Sequence, residues 1–409
     1  MDVLIIGGSI GGLTLGLLLH RAGIASRIYE SSPDIKPLGV GINILPHAAK
    51  ELCELGLEDE LARFGILTRE AVFYNRYGQL IYSEPLGRHA GYVYPQFSIH
   101  RGDLQMVLLE AYRKRAGADR VFAGWRCTGF DQDGSGATAY FRDSTSEAEL
   151  EPQRGTVVIG CDGLHSVIRK QLHPDEGAPL YSGVNMWRGV TPWASFLSGA
   201  SMVRAGWHQG GKMVIYPIRK NIDAQGRQLV NWVAEIATPR YKSRDWNRLG
   251  ELDDFIDAFA DWHFEWLDVP AMIRSTQQIL EFPMIDQEPL PWWSRGRVTL
   301  LGDAAHPMYP RGSNGAGQAI VDARALTDRL SKHGDHVEAL KAYEVERLEA
   351  TANIVRMNRK NPPDAILREV FERTGDKPFD QLDDVITQQE LRAITDSYKQ
   401  ITAGSRRAI

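Results

Sequence analysis

Three times this chain runs a short apolar segment straight into glycine: DVLIIGGSIGG from Asp2, GTVVIGCDG from Gly155 and RVTLLGDAAHP from Arg297. A brief unbroken apolar run ending in a turn reads as a strand buried on both faces. Such strands belong to parallel sheets with helices packed on either side. The first run is followed by LTLGLLLHRAG, which has helical spacing, and by ASRIYE, a second strand ending on Glu30. Strand, glycine turn, helix and strand make a βαβ unit. The other two runs fit as further strands of the same sheet.

Between the second and third of these strands the pattern changes. From 181 to about 279, alternating segments such as GKMVIYPI and QLVNWVAEI, with many tryptophans, read as an antiparallel sheet, with a helix expected near 251–262. The expected fold is therefore α/β. A Rossmann-like domain with a parallel sheet is assembled from 1–75, 96–180 and 280–360, and a β-rich substrate domain from 76–95 and 181–279. A C-terminal helical segment, 361–409, completes the chain.

Composition removes several function classes. Forty-seven Lys and Arg against 52 Asp and Glu give a net charge of −5, with no long basic run, so no nucleic-acid partner is expected. Three scattered cysteines form no metal motif and suit a reducing compartment. No stretch approaches about 18 uninterrupted apolar residues, so a cytoplasmic protein without stable membrane insertion is expected, as a monomer or a homodimer.

Each glycine turn has chemistry within reach. GGSIGG, Gly7 to Gly12, follows a strand and opens a helix, as a dinucleotide fingerprint does, with Ser9 where the middle glycine stands. Gly7 makes the tight turn, the middle position lets pyrophosphate approach, Gly11 and Gly12 keep the helix close, and the helix N-terminus offers free N–H groups. Glu30 sits where a ribose-binding acid is expected. A merely structural glycine turn is the competing reading, weakened by the strand, helix and acid around it. In GCDGLHSVIR, Asp162 taken alone reads as a helix N-cap with Ser166 and Arg169 behind it. In LLGDAAHPMYPRGSNGAG, Asp303 can accept from sugar or ribityl hydroxyls, and the backbone of Pro310, Gly312, Ser313, Asn314 and Gly315 can lie against a flat anionic ring.

Together, in this order, the three motifs resemble those of the FAD-dependent aromatic hydroxylases, single-component flavoprotein monooxygenases of the p-hydroxybenzoate hydroxylase type. PLGVGINILPHA, YPQFSIHRGDLQMVLL, MWRGVT and RGRVTLLGDAAHPMYP are similar to the phenazine hydroxylase and salicylate hydroxylase branch. The resemblance spans about residues 1–355. It implies FAD held by Gly7, Ser9, Gly12, Glu30, Arg101, Asp162 and Asp303, with the loop after Pro310 over the isoalloxazine. It also implies NADH or NADPH as a transient reductant, and delivery of one oxygen atom of dioxygen through a C4a-hydroperoxyflavin to an electron-rich aromatic substrate. The chain departs from the family pattern at Ser9 and at RGSNGAG, where many members carry GxGQG.

On the substrate side, Tyr216 in VIYPI is a candidate for orienting the aromatic and His208 in GWHQGG a candidate base. Arg188 and Arg204 are candidates for pairing a substrate carboxylate, and Trp207 and Met308 for bordering the pocket. For each of these a core or surface role is the competing reading. Other functions on the same framework are a flavin-dependent reductase, a halogenase (whose WxWxIP segment is absent) and a non-catalytic prenyl-protein-binding relative.

Overall fold

The structure is a computed structural model, and it describes residues 1–37, 39–238, 248–360 and 363–403. A five-stranded, wholly parallel sheet lies at its centre, in the order Val298–Leu300, Val157–Gly160, Asp2–Ile6, Ala25–Glu30, Val121–Ala123. All three apolar strands read from the sequence are in it, side by side. Their carboxyl ends therefore share one edge, where ligands of open α/β sheets bind. Helices Ile10–Arg21, Arg101–Ala116 and Gly315–Lys332 complete the core around Leu4, Ile5, Leu13 and Leu326. A three-stranded antiparallel sheet, Trp125–Gln132, Ala137–Asp143 and Glu149–Gly155, flanks it.

The second layer is an eight-stranded sheet in the order Arg248–Leu249, Ile279–Asp286, Leu180–Trp193, Gln228–Ala237, Lys212–Arg219, Ser201–Gly206, Glu70–Tyr74, Leu80–Pro85. All but one pairing is antiparallel; Ser201–Gly206 runs parallel to Glu70–Tyr74. Two strands read on the dinucleotide-domain side of the sequence boundaries, Glu70–Tyr74 and Ile279–Asp286, pair inside this sheet instead. Glu70–Tyr74 pairs with Ser201–Gly206 and Ile279–Asp286 with Leu180–Trp193, which satisfies their backbone N–H and C=O groups within this sheet. The helix expected near 251–262 is two separate 3-10 turns, Leu252–Asp254 and Ile256–Phe259. Phe255, at φ −146°, breaks the run so that its ring stacks on Trp187, 5.0 Å between centroids.

A small sheet of Gly41–Ile44, Phe97–His100 and Ile66–Leu67 lies between the two layers. Gly41 N donates to Asn231 Oδ1 across them at 2.7 Å. The long helix His336–Lys360 is followed by Ala365–Thr374 and Gln388–Ala403. The apolar face of this last pair (Ile366, Leu367, Val370, Leu391) covers Ala71, Phe73, Ile81 and Trp207 of the eight-stranded sheet. Residues 404–409 of the C-terminal tail lie outside the described residues. No helix among the described residues is long and apolar enough to cross a membrane.

Candidate active site

A cleft of about 680 Å³ starts at the carboxyl edge of the parallel sheet and ends against the eight-stranded one. Gly7, Ser9, Gly11, Glu30, Arg101, Asp162, Asp303, Pro310, Ser313, Asn314 and Gly315 line it, with Arg188, Tyr216 and Met308 at the far end. Three separated motifs and a sheet inserted between two of them thus build one wall-to-wall site.

The fingerprint turn shows why it is glycine. Gly7 has φ +114°, and a Cβ there would stand 2.3 Å from the carbonyl oxygen of Cys161; a Cβ on Gly12 would stand 2.0 Å from Gly7 O. Both distances are far inside van der Waals contact, so the turn closes only on bare backbone. Ser9, at φ −75°, needs no such freedom. It is the N-cap of the first helix, accepts weakly from Gly12 N and donates to Cys161 O at 3.3 Å, tying the first turn to the second motif. The departure from the fingerprint therefore costs the backbone nothing. Glu30 is held by Gly8 N at 2.8 Å and Ser32 N at 2.7 Å.

The helix Val167–Leu172 is N-capped by Ser166, whose Oγ accepts from Arg169 N at 2.9 Å, while Asp162 accepts from Ser166 Oγ at 2.6 Å and Val167 N at 2.8 Å and borders the cleft. Burial raises the pKa of Asp162, and these donors pull it back. Arg169, 2% exposed, does more than follow on the helix. Its guanidinium donates to Ala304 O and Ala305 O, both at 2.9 Å, and is anchored by Glu176, so the second motif holds the third in place. Asp303 is open to the cleft but ringed by protein, and that desolvation raises its pKa against the pull of His306 and Arg101. Beneath the loop, Asp322 accepts from His306 Nε2 at 2.5 Å and Arg347 Nε at 2.7 Å. Burial alone would raise this carboxyl, but His306 and the Arg347 guanidinium hold it low.

The loop itself takes Gly312 and Ser313 through positive φ, +67° and +57°. A serine is strained there, and that turn delivers the N-terminus of the helix Gly315–Lys332 to the cleft. The helices Ile10–Arg21 and Arg101–Ala116 also open their N-termini on it. Three helix N-termini, with their positive dipole ends, around one trough suit an anionic, extended ligand. With the glycine cradle and Glu30, they fit a flavin dinucleotide.

At the substrate end, the Arg188 guanidinium lies beside the Tyr216 phenol. Arg188 donates to Gly41 O at 3.0 Å, and its Nε has no protein partner. Burial raises the pKa of Tyr216, so its phenol is a neutral donor, and pulls that of Arg188 down from its usual high value. Asn43 lines the same space as Tyr216, and its Oδ1 accepts from Ser98 Oγ at 2.5 Å. Arg204 lies one chamber further, over the ring of Phe73 at 5.3 Å.

Four sequence expectations are placed differently. His208 does not border the cleft. It is buried, with Nε2 on Glu235 at 2.9 Å, and desolvation lowers its pKa, because Ala237 N draws the GWHQGG turn inward. Trp207 stacks on His208 and packs against Ile366 and Val370, as core under the C-terminal helices. Gly312 lines the adjoining chambers rather than the cleft, and Gly12 serves the turn behind it.

Sequence reasoning missed a buried ionic group. Lys212 donates to Glu235 Oε2 at 2.9 Å and pairs with Asp364, the three being 2%, 4% and 2% exposed. Lys212 pulls Glu235 down to about 2 against the desolvation of its site. Asp364 is held low in the same way by Lys212 and Arg311.

Comparison with known proteins agrees with this geometry. Residues 1–358 match a family model described as an FAD binding domain. The chain is 42% identical over 404 residues to phenazine 1,6-dicarboxylic acid hydroxylase PhzS of Lysobacter antibioticus, covering 98% of this chain and 97% of that one. It is 32% identical over 370 residues to 6-hydroxynicotinate 3-monooxygenase of Bordetella bronchiseptica, covering 88% and 91%. The fold is shared with HpxO of Klebsiella pneumoniae in complex with FAD and uric acid, with a TM-score of 0.77 and 24% identity, over 99% of this chain and 97% of that one. The chain belongs to the FAD-binding family of flavoprotein aromatic hydroxylases.

Proposed function

We propose that this FAD- and NAD(P)H-dependent aromatic monooxygenase acts on a planar, fused-ring heteroaromatic carboxylate of the phenazine carboxylate class. The observation that carries this is the far end of the cleft. A guanidinium with an unpartnered Nε, Arg188, sits beside a neutral phenol donor, Tyr216, and a second arginine, Arg204, lies in the next chamber. The 42% identity to a phenazine dicarboxylate hydroxylase supports the same class.

Bound FAD supplies two-electron redox chemistry with the nicotinamide and the activation of dioxygen. Gly7, Ser9, Gly11, Glu30, Arg101, Asp162, Asp303 and the Pro310–Gly315 loop would hold it. The chain's own residues do the rest. Arg188 pairs the carboxylate and fixes the ring's orientation by its planar fork. Tyr216 donates to a ring heteroatom or hydroxyl. The cationic Arg188 favours a deprotonated hydroxyl nearby, which enriches the ring to be attacked. Met308 and Pro310, at the apolar wall, keep water from the reacting face. No histidine base is needed in this arrangement.

The test is NAD(P)H oxidation with product analysis, comparing planar aromatic carboxylates with their decarboxylated analogues. Carboxylates should stimulate oxidation at least about ten-fold more, the discrimination expected of one charge-assisted pair. Equal stimulation by the neutral analogues removes Arg188 and Arg204 from substrate recognition and overturns the carboxylate assignment.

A further inference from the structure

A second cavity, of about 360 Å³, lies on the far side of the eight-stranded sheet's last hairpin. Phe73, Tyr82, Leu86 and Tyr92 give it flat apolar walls, and Ala90 stands exposed at its edge. It shares Met202, Arg204, Gly312 and Pro363 with a small chamber of about 60 Å³. That chamber in turn shares Arg188, Tyr216, Pro310 and Ser313 with the cofactor cleft. The three spaces therefore form a series from the surface to the substrate end of the site.

The cofactor cleft has its own mouth, beside Glu30, Ser31, Arg126 and His165. A dinucleotide laid along the cleft from Glu30 to Pro310 fills that mouth. Among the described residues, the second cavity then offers the substrate end a separate approach. The walls of the second cavity suit a flat aromatic, and Arg204 at its inner end meets a carboxylate before Arg188 does.

We propose that this side corridor is the door through which the aromatic substrate arrives and the product leaves, and that the C-terminal segment forms one of its walls. Pro363 and Thr395 supply that wall. Asp364, next to Pro363, is latched to Lys212 of the sheet beneath, so the buried ion pair fixes where the corridor's inner end lies. This inference rests on the aromatic-carboxylate reading above.

A door differs from a binding site in its kinetics. Narrowing it slows association and dissociation equally and leaves the equilibrium affinity unchanged. The experiment uses FAD-loaded protein and phenazine-1,6-dicarboxylate as probe, with stopped-flow detection of the flavin absorbance change. Ala90→Trp, which fills the corridor without touching the core, should slow both rates at least about five-fold with Kd constant within about two-fold. Tyr92→Ala, which widens it, should speed both. FAD content and substrate-free NAD(P)H oxidation should match the parent in both variants. Association unchanged in both variants overturns the corridor, as does slower association with dissociation unaltered, which marks damage to the site itself. Parent enzyme that binds the probe while the variants behave as the parent refutes the door alone; parent enzyme that binds no planar aromatic carboxylate refutes the functional reading and the door with it.

Discussion

Lys212→Ala lowers the unfolding free energy by about 3–5 kcal/mol, the cost of leaving buried carboxylates without their cation. Two buried acids, Glu235 and Asp364, are both paired with this one ammonium. His208, kept neutral by burial, cannot replace it. The triple substitution Lys212→Met, Glu235→Gln and Asp364→Asn should recover most of the loss, because it removes the charges together with their desolvation. The pH dependence has a definite sign. Glu235 is depressed to about 2 in the folded protein from an ordinary value of 4.5, and Asp364 is shifted the same way. Their contribution is complete above the unfolded value and is lost as pH falls toward the folded one. In Lys212→Ala the same carboxyls are raised, so acidification relieves the variant. Urea midpoints should therefore differ most at neutral pH and converge below about pH 4.5. A gap that widens on acidification contradicts this charge assignment.

The second large effect belongs to Arg188. Arg188→Ala should reduce kcat/KM for the aromatic carboxylate by about 30- to 4,000-fold, the range for removing one partner of a desolvated charge pair at about 2–5 kcal/mol. FAD affinity and substrate-free NAD(P)H oxidation should stay within about two-fold of the parent, since Arg188 lies at the far end of the cleft from Glu30. Arg188→Lys should restore only part of the loss, because a point charge lacks the planar fork that also holds Gly41 O. Steady-state kinetics on FAD-saturated protein decide it, and a kcat/KM within three-fold of the parent in Arg188→Ala would falsify the pairing.

The cofactor half of the site was legible because its signals are local. Gly7 and Gly12 are glycine for reasons set within one turn, Glu30 ends the next strand, and Asp303 lies in the 3-10 turn just past the strand Val298–Leu300. Parallel pairing of the three apolar strands then brings these turns to one edge with no further information. The substrate half was legible only in part. Arg188 and Tyr216 lie on strands whose alternation could be read, and they do face the cleft. His208 and Trp207 could not be placed from a local pattern. GWHQGG looks like an exposed turn until Glu235, two strands on, and the C-terminal helices close over it. Asp364 reads as an ordinary helix cap after Pro363, while its partner Lys212 stands 152 residues earlier in the chain. Arg169 gave only a helical position, and its grip on Ala304 and Ala305 depends on the neighbouring strand pairing. The boundaries near 75 and 280 moved for the same reason: a strand joins the sheet that satisfies its backbone N–H and C=O groups.

The measurement that tests the central claim most directly is the origin of the oxygen. Purified, FAD-loaded protein is given NAD(P)H and an accepted aromatic carboxylate under isotopically labelled dioxygen, and the product is weighed by mass spectrometry. A monooxygenase puts one labelled atom into each product molecule. Product oxygen drawn from water, or NAD(P)H consumed with no oxygenated product from any aromatic, would contradict the account and leave an oxidase or reductase on this scaffold.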